Sequence, residues 1–115
     1  MNKTLLHLEG LAIFALSLYF YWYNDFSWIL FIILILAPDI SMLGYLLNNK
    51  IGAMLYNLFH TYITAIVVIF LGILLSSSTV LAIGLIWSAH IGIDRTVGYG
   101  LKYPTEFKDT HLNRV

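Results

Sequence analysis

The chain has 115 residues, of which 60% are hydrophobic and 10% charged, where a soluble domain holds roughly half and a quarter. That length holds a single domain, residues 1–115, and that composition excludes an ordinary water-facing surface. Six Lys and Arg balance six Asp and Glu, which removes any basic footprint for nucleic acid, and the absence of cysteine leaves His, Asp and Glu as the available metal ligands.

The first apolar stretch, residues 5–23, is long enough to cross a hydrocarbon core of roughly 30 Å. It runs into Tyr19, Phe20, Tyr21, Trp22 and Tyr23 without a small-residue cleavage site, so it reads as a span and not as a signal peptide. Glu9, Ala12 and Ala15 recur at three-residue spacing, and this small-residue face is expected to turn its carboxylate towards the bundle interior. The second stretch, residues 27–47, is interrupted by Pro38-Asp39. Proline removes a donor and kinks the helix, which places Asp39 in the first turn of the continuing half-helix, where free amides favour a carboxylate.

The third stretch, residues 52–75, carries Asn57, His60, Thr61 and Thr64 at i, i+3, i+4 and i+7, one stripe of a continuous helix. On the fourth, residues 79–95, Trp87, His90 and Asp94 share a face while Gly84, Ser88 and Gly92 line another, so packing on two sides is expected. The tail, residues 96–115, opens with glycines suited to a turn out of the membrane. It is expected to be polar and exposed, with the alternative that Asp109 and His111 fold beneath the bundle.

Every stretch is helical by default, because an isolated strand cannot satisfy its backbone in lipid. The connections are three or four residues long, which forces antiparallel neighbours and gives an all-α, integral membrane four-helix up-down bundle. Lys3, Lys50, Arg95, Lys102, Lys108 and Arg114 all fall on one side of it, and the positive-inside rule makes both the N and the C terminus cytoplasmic. At about 1.5 Å per residue from those cations, Asp39 and His60 lie roughly 15 Å deep, Glu9 roughly 9 Å and His90 roughly 8 Å. Glu9, Asp39, Asn57, His60, His90 and Asp94 are therefore expected to share one polar cavity opening to the cytoplasm, with Arg95 neutralising a carboxylate.

Asp39, His60, His90 and Asp94 supply two imidazoles and two carboxylates, a set that suits zinc or manganese. With such a divalent metal, Glu9 is the candidate catalytic general base of a metal-dependent hydrolase acting on a membrane-partitioned substrate. The same groups also describe a small proton-coupled carrier, or the polar packing of a non-catalytic membrane adaptor. The lipid bilayer is the expected partner, and a homodimer would cover part of the apolar surface.

Four runs carry a family resemblance: Leu8-Glu9-Gly10, Ala37-Pro38-Asp39-Ile40-Ser41-Met42-Leu43-Gly44-Tyr45, Tyr56-Asn57-Leu58-Phe59-His60-Thr61-Tyr62, and Ala89 to His111. They resemble the bacterial family called domain of unknown function 4260, over nearly the whole chain, which implies a small multi-pass protein of the bacterial inner membrane. A looser similarity is to bacterial inner-membrane proteins described as metal-dependent hydrolases, whose pattern joins Pro-Asp, a Thr-His-Ser element and His-x-x-x-Asp. Pro38-Asp39, His60-Thr61 and His90 with Asp94 fit in that order, while the His-Arg pair preceding the central histidine has no counterpart.

Overall fold

Polar residues in the short connections start and stop the helices. In the computed structural model, which describes residues 2–104 and 110–114, α1 (Asn2–Tyr23) ends at Asn24 and Asp25, the latter with φ 55°. Ser27 caps α2 (Trp28–Leu34) by accepting from the Leu30 amide, and a 3-10 segment (Ala37–Leu46) continues it. Asn48 caps α3 (Asn49–His60) in the same way, α4 (Tyr62–Leu74) follows, and Ser77 caps α5 (Ser78–Val97) before the short α6 (His111–Arg114). No strand forms among the described residues, apart from an isolated bridge between Lys102 and Thr110.

Three helical stretches, Asn2–Tyr23, Trp28–Leu46 and Ser78–Val97, are long and apolar enough to cross a membrane. The pair α3 and α4 adds a fourth if it is counted as one span. Large apolar side chains such as Ile29, Ile32, Ile33, Ile63 and Ile73 stand exposed on the outer surface, the reverse of what a water-soluble domain of this size tolerates.

Helix α5 lies between α1 and α4, and small residues let the three backbones approach closely. A Cβ on Gly92 would lie 2.7 Å from the Phe14 nitrogen of α1, and one on Gly72 of α4 would lie 2.5 Å from the Leu81 nitrogen of α5. The Ser17 and Ser88 hydroxyls share a hydrogen bond across the α1–α5 seam at 3.0 Å. The two-sided packing expected of the fourth stretch is therefore present, and it buries Gly84, Ser88 and Gly92 together.

Three expectations are corrected. The buried residues of α1 are Gly10, Ser17 and Tyr21, whereas Glu9, Ala12 and Ala15 are exposed; Gly10 admits the α5 backbone where a Cβ would collide and Ser17 bonds Ser88, and that rotation turns Glu9 outward. The third stretch is not one helix, because Thr61 takes extended angles (φ −92°, ψ 141°) and bends α3 against α4 by 43°. That break divides the expected stripe between two helices.

The tail is also not simply exposed. Gly98 adopts φ 104° and closes α5 with the Tyr99 amide donating to the Asp94 carbonyl at 2.7 Å, which turns the chain back beneath the helices. Lys102, Thr110 and Leu112 are buried there, and His111 accepts from the Leu101 amide at 2.8 Å. Asp109 lies outside the described residues.

Because the α1–α5 seam has no room for a side chain at Gly92, Gly92→Val should destabilise the protein by about 1–3 kcal/mol, read as a lowered denaturation midpoint in detergent. Ala12→Val on the exposed face should change it by no more than about 0.5 kcal/mol.

Candidate metal centre

Pro38 begins the site. It has no N–H, and the Asp39 amide bonds to Leu36 at 3.0 Å in 3-10 fashion, so the Ile35 carbonyl is left without its helical donor. That carbonyl accepts from Nδ1 of His90, which reaches it from α5. On α3, Nδ1 of His60 meets the Tyr56 carbonyl one turn earlier at 2.9 Å, and the Tyr56 ring stacks on the imidazole at a centroid distance of 3.7 Å.

A carbonyl can only accept, so each Nδ1 must carry its proton. In the neutral ring that leaves each Nε2 as a bare lone pair. These two nitrogens lie 3.1 Å apart. Asp39 Oδ1 is 3.0 Å from both of them, and Asp94 Oδ2 is 3.1 Å from His90 Nε2 and 3.5 Å from His60 Nε2.

Four acceptor atoms thus converge, all within 4.8 Å of one another. Crowded lone pairs and carboxylate oxygens repel unless a cation or added protons lie between them. Ligands about 2.0–2.1 Å from a tetrahedral ion stand about 3.3 Å apart, close to the separations found here. The residues fit a divalent metal, and Asp39-His60-His90-Asp94 can hold one. The imidazoles are 3% and 2% exposed while the carboxylates are 30% and 18% exposed, so the site is reached from the carboxylate side.

On that side lies a pocket of about 250 Å3 lined by Asp39, Met42, Tyr56, Asp94, Tyr99 and Lys102. A separate apolar cleft of about 270 Å3 is lined by residues including Pro38, Phe59, Ile83 and Trp87. It adjoins the cluster along the chain, since Pro38 is followed by Asp39, Phe59 by His60, and Trp87, His90 and Asp94 succeed one another along one face of α5.

The break at Thr61 is satisfied by side chains. It releases the carbonyls at the end of α3: Thr64 donates to that of Leu58, Trp87 to that of Phe59 at 2.6 Å, and Arg95 to that of His60 at 3.0 Å. Each donor replaces a lost helical bond where an unpaired carbonyl is costly. Arg95 thus holds the His60 carbonyl and lies 5.2 Å from the centre of the Tyr62 ring, with Asp94 and Glu9 acting on it by charge, and Thr64 closes the end of α3.

Asn57 and Glu9 also stand apart from the four ligands. Asn57 clamps the Lys102 backbone, donating to its carbonyl at 2.7 Å and accepting from its amide at 2.6 Å. Glu9 is exposed on α1 and joins none of the four. Conversely, Lys102 enters from the sequence only as an inner-side cation, yet the clamp sets its Nζ 4.5 Å above the Tyr56 ring that backs His60. Burial pulls its pKa below the ordinary lysine value, against the opposing charges of Asp94 and Asp39. Tyr56 is the residue that spacing could have revealed, since it precedes His60 by four on one helix face.

Over residues 3–115 the chain matches the family model described as Domain of unknown function (DUF4260), and it belongs to that family. No curated protein and no solved structure matches it.

Removing the donor at the helix break tests its role. Trp87→Phe keeps the ring stacked on Phe59 but leaves that carbonyl unpaired, and should cost about 1–3 kcal/mol in a detergent unfolding titration. An unchanged midpoint would show that water or another donor satisfies the break.

Proposed function

We propose that this DUF4260 protein crosses the membrane four times, with both termini cytoplasmic, and holds a divalent metal that serves hydrolysis of a membrane-partitioned substrate. The observation that carries the reading is the convergence of four acceptor atoms whose histidine protons are already committed to backbone carbonyls. Metal-ligating histidines are held in this way by donation from the second ring nitrogen. Orientation rests on the cations, since the described ones stand at the starts of α1 and α3, the end of α5 and the tail beyond it.

His60, His90, Asp39 and Asp94 would hold the metal, which supplies Lewis-acid polarisation and lowers the pKa of water. In hydrolysis the oxygen of water bonds to the electrophilic centre, the scissile bond breaks, and a proton passes to the leaving group. Asp39 and Asp94 face the pocket, so their carboxylates are the groups placed to take and return that proton. Glu9, exposed on α1, has no part in it. The apolar cleft adjoining the cluster suits the hydrocarbon part of a membrane-borne substrate, with the reacting group at the metal and the polar part in the pocket.

A second reading follows from the ligand count, because four protein ligands complete a tetrahedron and describe a structural metal site. Such a site would hold its metal without turning over any ester.

The first test is metal analysis by plasma mass spectrometry of the full chain purified in detergent. Wild type and Glu9→Gln should each carry about one metal per chain, the His60→Ala, His90→Ala double variant none, and a chelator should lower the wild-type melting temperature. Metal-free wild type from metal-replete growth would overturn the reading. Metal-loaded protein inactive on ester lipids in mixed micelles would leave the structural site.

A further inference from the structure

The metal pocket has a neighbour across Tyr99 and Lys102. Tyr99 and Lys102 line a second, larger groove of about 600 Å3, whose wall also includes Lys3, His7, Thr110 and Asn113. The two spaces therefore share a wall, one opening on the Asp-His-His-Asp cluster and the other on the end of the molecule where α1 begins and the tail folds back.

Among the described residues that line it, the outer groove has two lysines and a histidine. In the inner pocket Lys102 stands beside Asp39 and Asp94, whose charges a bound dication would offset. Lys102 is held in place: its side chain is buried, its main chain is bonded at both polar atoms by Asn57, and its Nζ lies over the Tyr56 ring. A held lysine beside a divalent metal is a common arrangement for oxyanions, which accept from the ammonium while their remaining oxygens face the metal.

We propose that the neighbouring groove and pocket that share Tyr99 and Lys102 bind the phosphate group of the substrate, with Lys102 as its specificity-determining residue. The inference rests on the metal reading above and deepens it: the substrate class becomes phosphate-bearing molecules, either lipids whose head group enters from the membrane or soluble phosphate compounds entering from the groove. Thr110 and Asn113 add polar groups to the same wall, and His7, which bonds Thr96 at 2.9 Å, fixes the end of α5 against α1 beside them.

The test uses the full chain loaded with cobalt(II), whose visible bands report occupancy of the metal site and any change around it. In detergent, inorganic phosphate should shift the bands saturably. Lys102→Met should weaken that response at least about ten-fold, the loss of one hydrogen bond to a charged group, while its cobalt bands before phosphate stay as in wild type; Lys102→Arg should largely retain it. Vesicles of phosphatidylcholine containing phosphatidic acid should shift the bands relative to phosphatidylcholine alone if the source is a lipid head group, and leave them unchanged if it is a soluble phosphate.

Cobalt bands indifferent to both inorganic phosphate and phosphatidic acid would overturn this inference and leave the metal site standing. So would a Lys102→Met titration superimposable on wild type. Absence of cobalt bands in wild type would sink the metal reading itself, and this inference with it. If Lys102→Met lacks the wild-type helical circular dichroism, Lys102→Gln takes its place, and an unresponsive wild-type spectrum still decides against the proposal.

Discussion

Donation of two imidazole N–H groups to main-chain carbonyls is the interaction on which the centre of this molecule depends. It fixes the tautomer of His60 through Tyr56 and that of His90 through Ile35, and so points two lone pairs at the same place as two carboxylate oxygens. Either ring in the other tautomer would present an N–H to that point and hydrogen-bond a carboxylate as an ordinary polar contact. With each Nδ1 proton on a carbonyl, what lies among the four atoms is either a cation or added protons on the rings or carboxylates.

Both halves of this arrangement are made by interrupted helices. Pro38 releases the Ile35 carbonyl that orients His90, and the break at Thr61 ends α3 at His60. Interrupted helices inside a bilayer are costly unless the freed backbone finds partners, and they recur where ions and substrates are bound. Here Thr64, Trp87 and Arg95 supply the partners by donating to the Leu58, Phe59 and His60 carbonyls, and Trp87 also lines the apolar cleft. Small residues in the α1–α5 and α4–α5 seams hold α5 in place, and with it His90 and Asp94.

The apolar stretches and the grouping of Asp39, His60, His90 and Asp94 were legible in the sequence. Length and hydropathy mark the stretches, Pro38-Asp39 marks the kink, and the spacing of His90 and Asp94 puts them on one helix face. The break at Thr61 was not legible, since neither proline nor glycine occurs there and two of its three donors come from positions 26 and 34 residues further along the chain. The rotation of α1 was misread for a related reason: alanines and glycine lie on adjacent faces of it, and only contact with Gly92 decides which face is buried. Lys102 was invisible as a site residue because a tail folded back by Gly98 and pinned by Asn57 is a tertiary fact.

The cluster adjoins an apolar cleft and lines a pocket with charged walls, which suits chemistry at the boundary between lipid and water. That placement has meaning only if a metal sits among the four acceptors. X-ray absorption at the zinc edge on the zinc-loaded full chain tests this most directly. The account requires a first shell of nitrogen and oxygen at about 2.0–2.1 Å with imidazole scattering from two histidines, lost when His60 and His90 are replaced together. A shell of oxygen alone, or one unchanged in the double variant, would contradict it.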